Sequence, residues 1–201
     1  TAARSSRWCA GGCPRGTSDL ATAAGVPRPR LPAGGRAGVS GARPSDPAPP
    51  EVLILCLGNA LRRDDAVALH VARALEAAPP PGAAVATSAR AGLYLLDDME
   101  GHDRVVVVDA VRTGAHPPGE VHALPLEALH APAGPSPHAI GLPSALALAR
   151  AAGAPVPGRV WLVLVEVEDM DTVGEGLTPA VAAAVPRAVE AARAACRALA
   201  G

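Results

Sequence analysis

Three unbroken apolar runs limit how this chain can fold. They are Val52-Leu53-Ile54-Leu55-Cys56-Leu57, Val105-Val106-Val107-Val108 and Val160-Trp161-Leu162-Val163-Leu164-Val165. None alternates with polar residues, so each reads as a strand buried on both faces, as in a parallel sheet. Helical patterns lie between them. Asp64-Asp65 opens a segment whose apolar side is marked by Val67, Leu69, Val71, Ala74 and Leu75, and Pro79-Pro80-Pro81 stops it. Residues 142–152 form an Ala/Leu helix ended by Gly153. Thr178 is placed as an N-cap with Pro179 at the first helical position, and an Ala-rich helix follows to about Ala198. Weaker strands are read at Ala83–Ala86 and Gly119–Leu126, with a short helix over Gly92–Met99. This alternation predicts an α/β fold, a doubly wound, mostly parallel sheet of about five strands with helices on both faces.

Residues 1–50 differ in kind. They hold eight Gly and eight Pro and no periodic apolar pattern. Such a segment buries too little surface to offset its ordering entropy, so a disordered tail is expected there and an ordered domain over 51–201. The tail carries seven Arg against two Asp, a balance of +5, which leaves −6 on the remainder of a chain whose net charge is −1. A mildly acidic body does not suit a polyanion, and three aromatic residues cannot build a base-stacking platform, so no nucleic-acid partner is expected. There is no run of 18 apolar residues to span a membrane. Arg4 and Arg7 have no apolar stretch behind them, unlike a secretory signal. Cys9 and Cys13 lack a second cysteine pair to complete a zinc site and read as free thiols; Cys56 reads as core. A reducing, cytoplasmic setting fits this usage.

Ligands of doubly wound sheets bind outside the carboxyl ends of the strands, where the strand order reverses. Three polar features are expected at that edge. Asp64 and Asp65 follow the first strand, Asp109 ends the Val run, and His138 sits in Pro135-Ser136-Pro137-His138 just before a helix. Each has a plainer explanation. Asp64 can cap the first helix, Asp65 can interact with its dipole, and His138 can be an ordinary loop histidine. Asp109 is harder to dismiss, because a carboxylate ending a buried strand needs a cation, donors or a metal. Together, two carboxylates and one imidazole make a facial divalent-metal site with open positions. Gly58-Asn59 reads as a tight turn, Gly allowing close approach and Asn tolerating left-handed geometry. His70, His102, His116, His122 and His130 are expected in surface or structural roles.

The sequence resembles the hydrogenase maturation proteases over about residues 52–199. Four segments carry the resemblance: residues 55–65 (LCLGNALRRDD), Val107-Val108-Asp109-Ala110, residues 136–142 (SPHAIGL) and Gly176-Leu177-Thr178-Pro179. The resemblance implies an endopeptidase that removes the C-terminal extension of a nickel–iron hydrogenase large-subunit precursor after nickel insertion. It implies Asp65, Asp109 and His138 as metal ligands, meeting nickel carried by the substrate, with Gly58, Asn59 and Asp64 supporting the site. It assigns no catalytic residue. Monomeric action is expected.

The chain departs from the family pattern in two places. Ala66 and Ala68 stand where glycines are frequent, and Thr87-Ser88-Ala89-Arg90 replaces an Asp-Gly-Gly-Thr-like turn. The second change removes a carboxylate and introduces Arg90, which suggests a divergent subgroup with altered substrate choice. The alternative is a non-catalytic assembly factor that binds the metal-loaded precursor. A nucleotide-binding domain is disfavoured, because the turn from Gly58 to Asp64 has neither G-x-G-x-x-G nor a P-loop and its acids repel phosphate.

Overall fold

The computed structural model describes residues 50–129 and 141–201. The expected tail, with Cys9 and Cys13, and the segment 130–140, with His130 and His138, lie outside the described residues. Five strands form one sheet: β1 (Val52–Leu57), β2 (Ala83–Ser88), β3 (Arg104–Val111), β4 (Val121–Pro125) and β5 (Arg159–Glu166), in the order β2-β1-β3-β5-β4. All pairs are parallel except β4 with β5. The helices are α1 (Val67–Ala77), α2 (Leu95–Asp98), α3 (Leu142–Ala151) and α4 (Pro179–Ala200).

The apolar runs become the central strands, as a sheet covered on both sides requires. Every residue of β1 is buried. Alternate side chains divide between two cores. Ile54, Val106, Val108 and Val163 pack with α1 and α4, whereas Leu55, Val107, Val111 and Leu162 pack with α2 and α3. Each fully buried Leu, Ile or Val contributes roughly 1.5–3 kcal/mol.

Three local expectations need correction. β3 does not end at Asp109; Ala110 and Val111 continue it by pairing with Val165 and Glu166. The segment opened by Asp64-Asp65 is first a tight 3-10 turn, Arg63–Ala66, and α1 starts only at Val67. The buried stripe of α1 is Val67, Ala68, Val71, Ala72 and Leu75, not one through Leu69 and Ala74. Small residues take those places because α1 lies against both the sheet and α4.

Candidate active site

The strand order reverses between β1 and β3, and the carboxyl edge there gathers the acids. The chain leaves β1 through Gly58, whose N–H donates to Ser88 O at 3.0 Å, so the exit is tied to the end of β2. A Cβ on Gly58 would lie 2.2 Å from the backbone oxygen of Asp65, so only glycine lets the acidic turn fold back this closely. Asn59 then turns the chain: its Oδ1 accepts the Leu61 N–H at 2.9 Å, and its own N–H donates to Asp65 Oδ2 at 3.0 Å.

Asp64 and Asp65 are both buried and do different work. Asp64 does not cap a helix. Its Oδ1 accepts the Thr178 N–H at 2.7 Å, and its Oδ2 accepts the Thr178 hydroxyl at 3.0 Å and the Asp169 N–H at 3.1 Å. Thr178 accordingly sits at the N-cap of α4 without capping it by its side chain. Backbone bonds reinforce this clamp. Arg63 N–H donates to Thr172 O, Asp64 N–H to Asp169 O and Gly174 N–H to Leu61 O, and Arg62 bridges Val173. Asp169 fixes the far side of the ribbon by accepting the Thr172 N–H at 2.9 Å, which with the Thr172 hydroxyl holds its carboxyl below the usual range.

The turn bearing Asp65 packs on β3, the strand bearing Asp109. Asp109 is fully buried, and its Oδ1 accepts the Ala110 N–H at 2.9 Å. Strand alternation puts its side chain on the α3 face, level with Val107 and Val111. The structure thus brings two of the three expected ligands to one edge at the switch in strand order. His138 falls outside the described residues, three positions before Gly141 at the start of α3.

Comparison with known proteins decides the family. The hydrogenase maturation protease family matches residues 69–195. The Hydrogenase 2 maturation protease of Escherichia coli is 33% identical over 150 residues, covering 73% of this chain and 90% of the relative. This chain belongs to the hydrogenase maturation protease family. Among solved structures, the Escherichia coli maturating endopeptidase HybD matches with a TM-score of 0.63 and 31% identity, covering 74% of this chain and 93% of that one. HybD of Thermococcus kodakarensis, a [NiFe] hydrogenase maturation protease, matches at 0.57 and 29%, covering 72% and 97%. The matched relatives are proteases, which supports the peptidase reading over a non-catalytic assembly factor.

Within this family member, the divergent segment after β2 closes on itself. Ser88 Oγ donates to Asp98 Oδ2 at 2.6 Å, and Arg90 lies 3.1 Å from Asp98 and 3.6 Å from Asp97. Asp98 therefore sets a carboxylate beside the end of β2, already engaged by Arg90. A cleft of about 240 Å³ opens between this segment and the first turn, lined by Gly58, Asn59, Ala60, Leu69, Thr87, Ser88 and Ala89.

Sequence reasoning missed one buried acid. Glu166, at the end of β5, accepts the Thr113 N–H at 2.7 Å, the Thr113 hydroxyl at 2.8 Å and the Gly114 N–H at 2.8 Å. The signal that singled out Asp109, an acid closing an apolar run, is present there too. Its donors all come from the loop after β3, so Glu166 holds that loop at the same edge.

Proposed function

We propose that this protease removes the C-terminal extension of a nickel–iron hydrogenase large-subunit precursor, with Asp65, Asp109 and His138 meeting the nickel that the precursor carries. The observation carrying this reading is the acidic turn itself. Gly58 and Asn59 fix the buried Asp65 against the strand that bears the buried Asp109, at the switch point where ligands of such sheets bind. Carboxylate oxygens and an imidazole suit a divalent first-row ion. In this reading the ion belongs to the substrate, so a precursor without nickel offers nothing for the acids to hold. Metal dependence then enters with the precursor: held by Asp65, Asp109 and His138, its ion would supply Lewis-acid polarisation of the scissile carbonyl or an activated water.

The surroundings suit an extended peptide. The cleft between the first turn and the end of β2 is open, and Leu61 and Val173 stand exposed on the adjoining ribbon. Action as a monomer in the cytoplasm completes the proposal. No described helix is long and apolar enough to cross a membrane.

The test is processing of nickel-loaded precursor followed by gel shift, with Asp65→Ala, Asp109→Ala and His138→Ala. Each variant is expected to stop trimming while circular dichroism shows the native fold. Full trimming by all three overturns the proposal.

A further inference from the structure

We propose a second divalent-metal site formed by His116, Glu120 and His122, beside the outer strand β4, where His122 and Asp109 flank the same residue of β5, Leu164. These residues take no part in the acidic turn. His116 and Glu120 belong to the loop between β3 and β4, and His122 is the second residue of β4. His116 Nδ1 stands 3.0 Å, and His122 Nε2 3.5 Å, from the same Glu120 Oε1, and one ligand atom from each of the three residues lies within 4.8 Å of the other two. Ligand atoms placed about 2.0–2.2 Å from a tetrahedral ion stand about 3.3 Å apart, so small adjustments bring all three onto one ion.

Two further observations point to a ligand rather than a plain ion pair. His122 Nε2 is shielded from solvent and makes no hydrogen bond among the described residues; its approach to Glu120 has the distance of an ion pair without hydrogen-bond geometry. A buried imidazole nitrogen without a hydrogen bond is costly, and a metal ion answers that cost. The rings of His116 and His122 also sit with centroids 4.3 Å apart at 59°, so both imidazoles crowd one carboxylate.

The frame is also rigid. Pro117-Pro118 limits the loop, Gly119 donates to Glu166 O at 2.7 Å, and Glu120 O accepts the Glu166 N–H at 2.8 Å. Gly119 has φ of +85°, and a Cβ on it would lie 2.5 Å from Ala180 O, so the turn is pressed onto α4. Arg187 donates to Gly119 O at 2.8 Å from the same helix. Glu120 and His122 are thus held from both sides, and ligands held before the ion arrives suit a site with exacting geometry. Two imidazoles and one carboxylate select a late first-row divalent ion, zinc or nickel, over calcium or magnesium.

The probe is zinc added to the full chain, with the histidine side-chain nitrogens followed by long-range proton–nitrogen spectroscopy. His116 Nδ1 and His122 Nε2 are expected to move together to metal-bound positions. In His116→Ala, the zinc response of His122 is expected to weaken by at least about tenfold, the scale on which even outer partners of metal sites act. His116 is exposed, so this variant keeps its fold. The proposal is overturned if both imidazoles stay unmoved at millimolar zinc, or if His122 responds equally in His116→Ala. Because the readout is local to these two rings, it is independent of precursor processing and of the fate of Asp65 and Asp109.

Discussion

Asp64 and Thr178, 114 residues apart in sequence, are joined by two hydrogen bonds to one buried carboxylate, from the Thr178 backbone N–H and from its hydroxyl. With the Asp169 N–H as third donor, Asp64 fastens the ribbon before α4 onto the turn that carries Asp65. Asp64→Ala leaves buried donors without an acceptor, at about 1–3 kcal/mol each, whereas Thr178→Val removes only the hydroxyl bond, about 1 kcal/mol. Thermal denaturation is therefore expected to show Asp64→Ala melting at least about 6 °C lower, and Thr178→Val only a few degrees lower. Equal losses in the two variants would show that the carboxylate is not the centre of the clamp.

Gly58 sets the position of Asp65 by distance alone. A methyl group there would meet the Asp65 backbone oxygen at 2.2 Å, so Gly58→Ala must push the acidic turn away from β1. Overpacking of this kind costs typically about 1–3 kcal/mol. Precursor trimming is expected to fall further than stability does, because Asp65 loses the Asn59 N–H along with its place. Melting temperature and trimming rate measured on the same preparation check this. A variant that melts low but trims at the normal rate would detach Gly58 from the site.

How far the sequence discloses this molecule depends on how local each signal is. The unbroken runs around Ile54, Val107 and Leu162 announce a sheet covered on both sides, because burial of both faces leaves no room for polar alternation. The pairing of acidic turn with acidic strand was legible for the same reason: Asp65 and Asp109 each follow such a run. The role of Asp64 was not legible. A carboxylate before a helix has the local look of a cap, and only the tertiary fold brings Thr178 and Asp169 to it. Thr178 likewise matches an N-cap by position, and loses its hydroxyl to a stronger, charged acceptor. Hydrophobicity alone places Leu69 and Ala74 on the buried stripe of α1, but contact with α4 selects Ala68 and Ala72 by size.

Cys56 tests whether β1 is sealed. It is fully buried, and burial, with a smaller push from Glu76, moves its thiol up to about 12. At pH 8 only about one such thiol in ten thousand is the reactive thiolate. Iodoacetamide at that pH is expected to leave Cys56 unmodified in the native protein and to label it once denaturant is added, as peptide mass spectrometry would show. Labelling at the rate of a free thiol without denaturant would mean that β1 opens to solvent.

His70 makes stability depend on pH. It lines a cleft with Arg73 and Glu175, and burial, followed by repulsion from Arg73, holds its imidazole below the ordinary value of 6.5. Just below that ordinary value the unfolded chain binds the proton and the folded chain resists it, so stability must rise with pH across the window. The contribution is complete above the unfolded value and is lost as pH falls towards the folded one. Denaturant melts at several pH values between about 5 and 8 should show this slope in the wild type and a shallower one in His70→Gln. The difference between the two curves isolates the contribution of His70. Parallel curves would mean that the cleft around His70 is wet enough to leave its imidazole as it is in the unfolded chain.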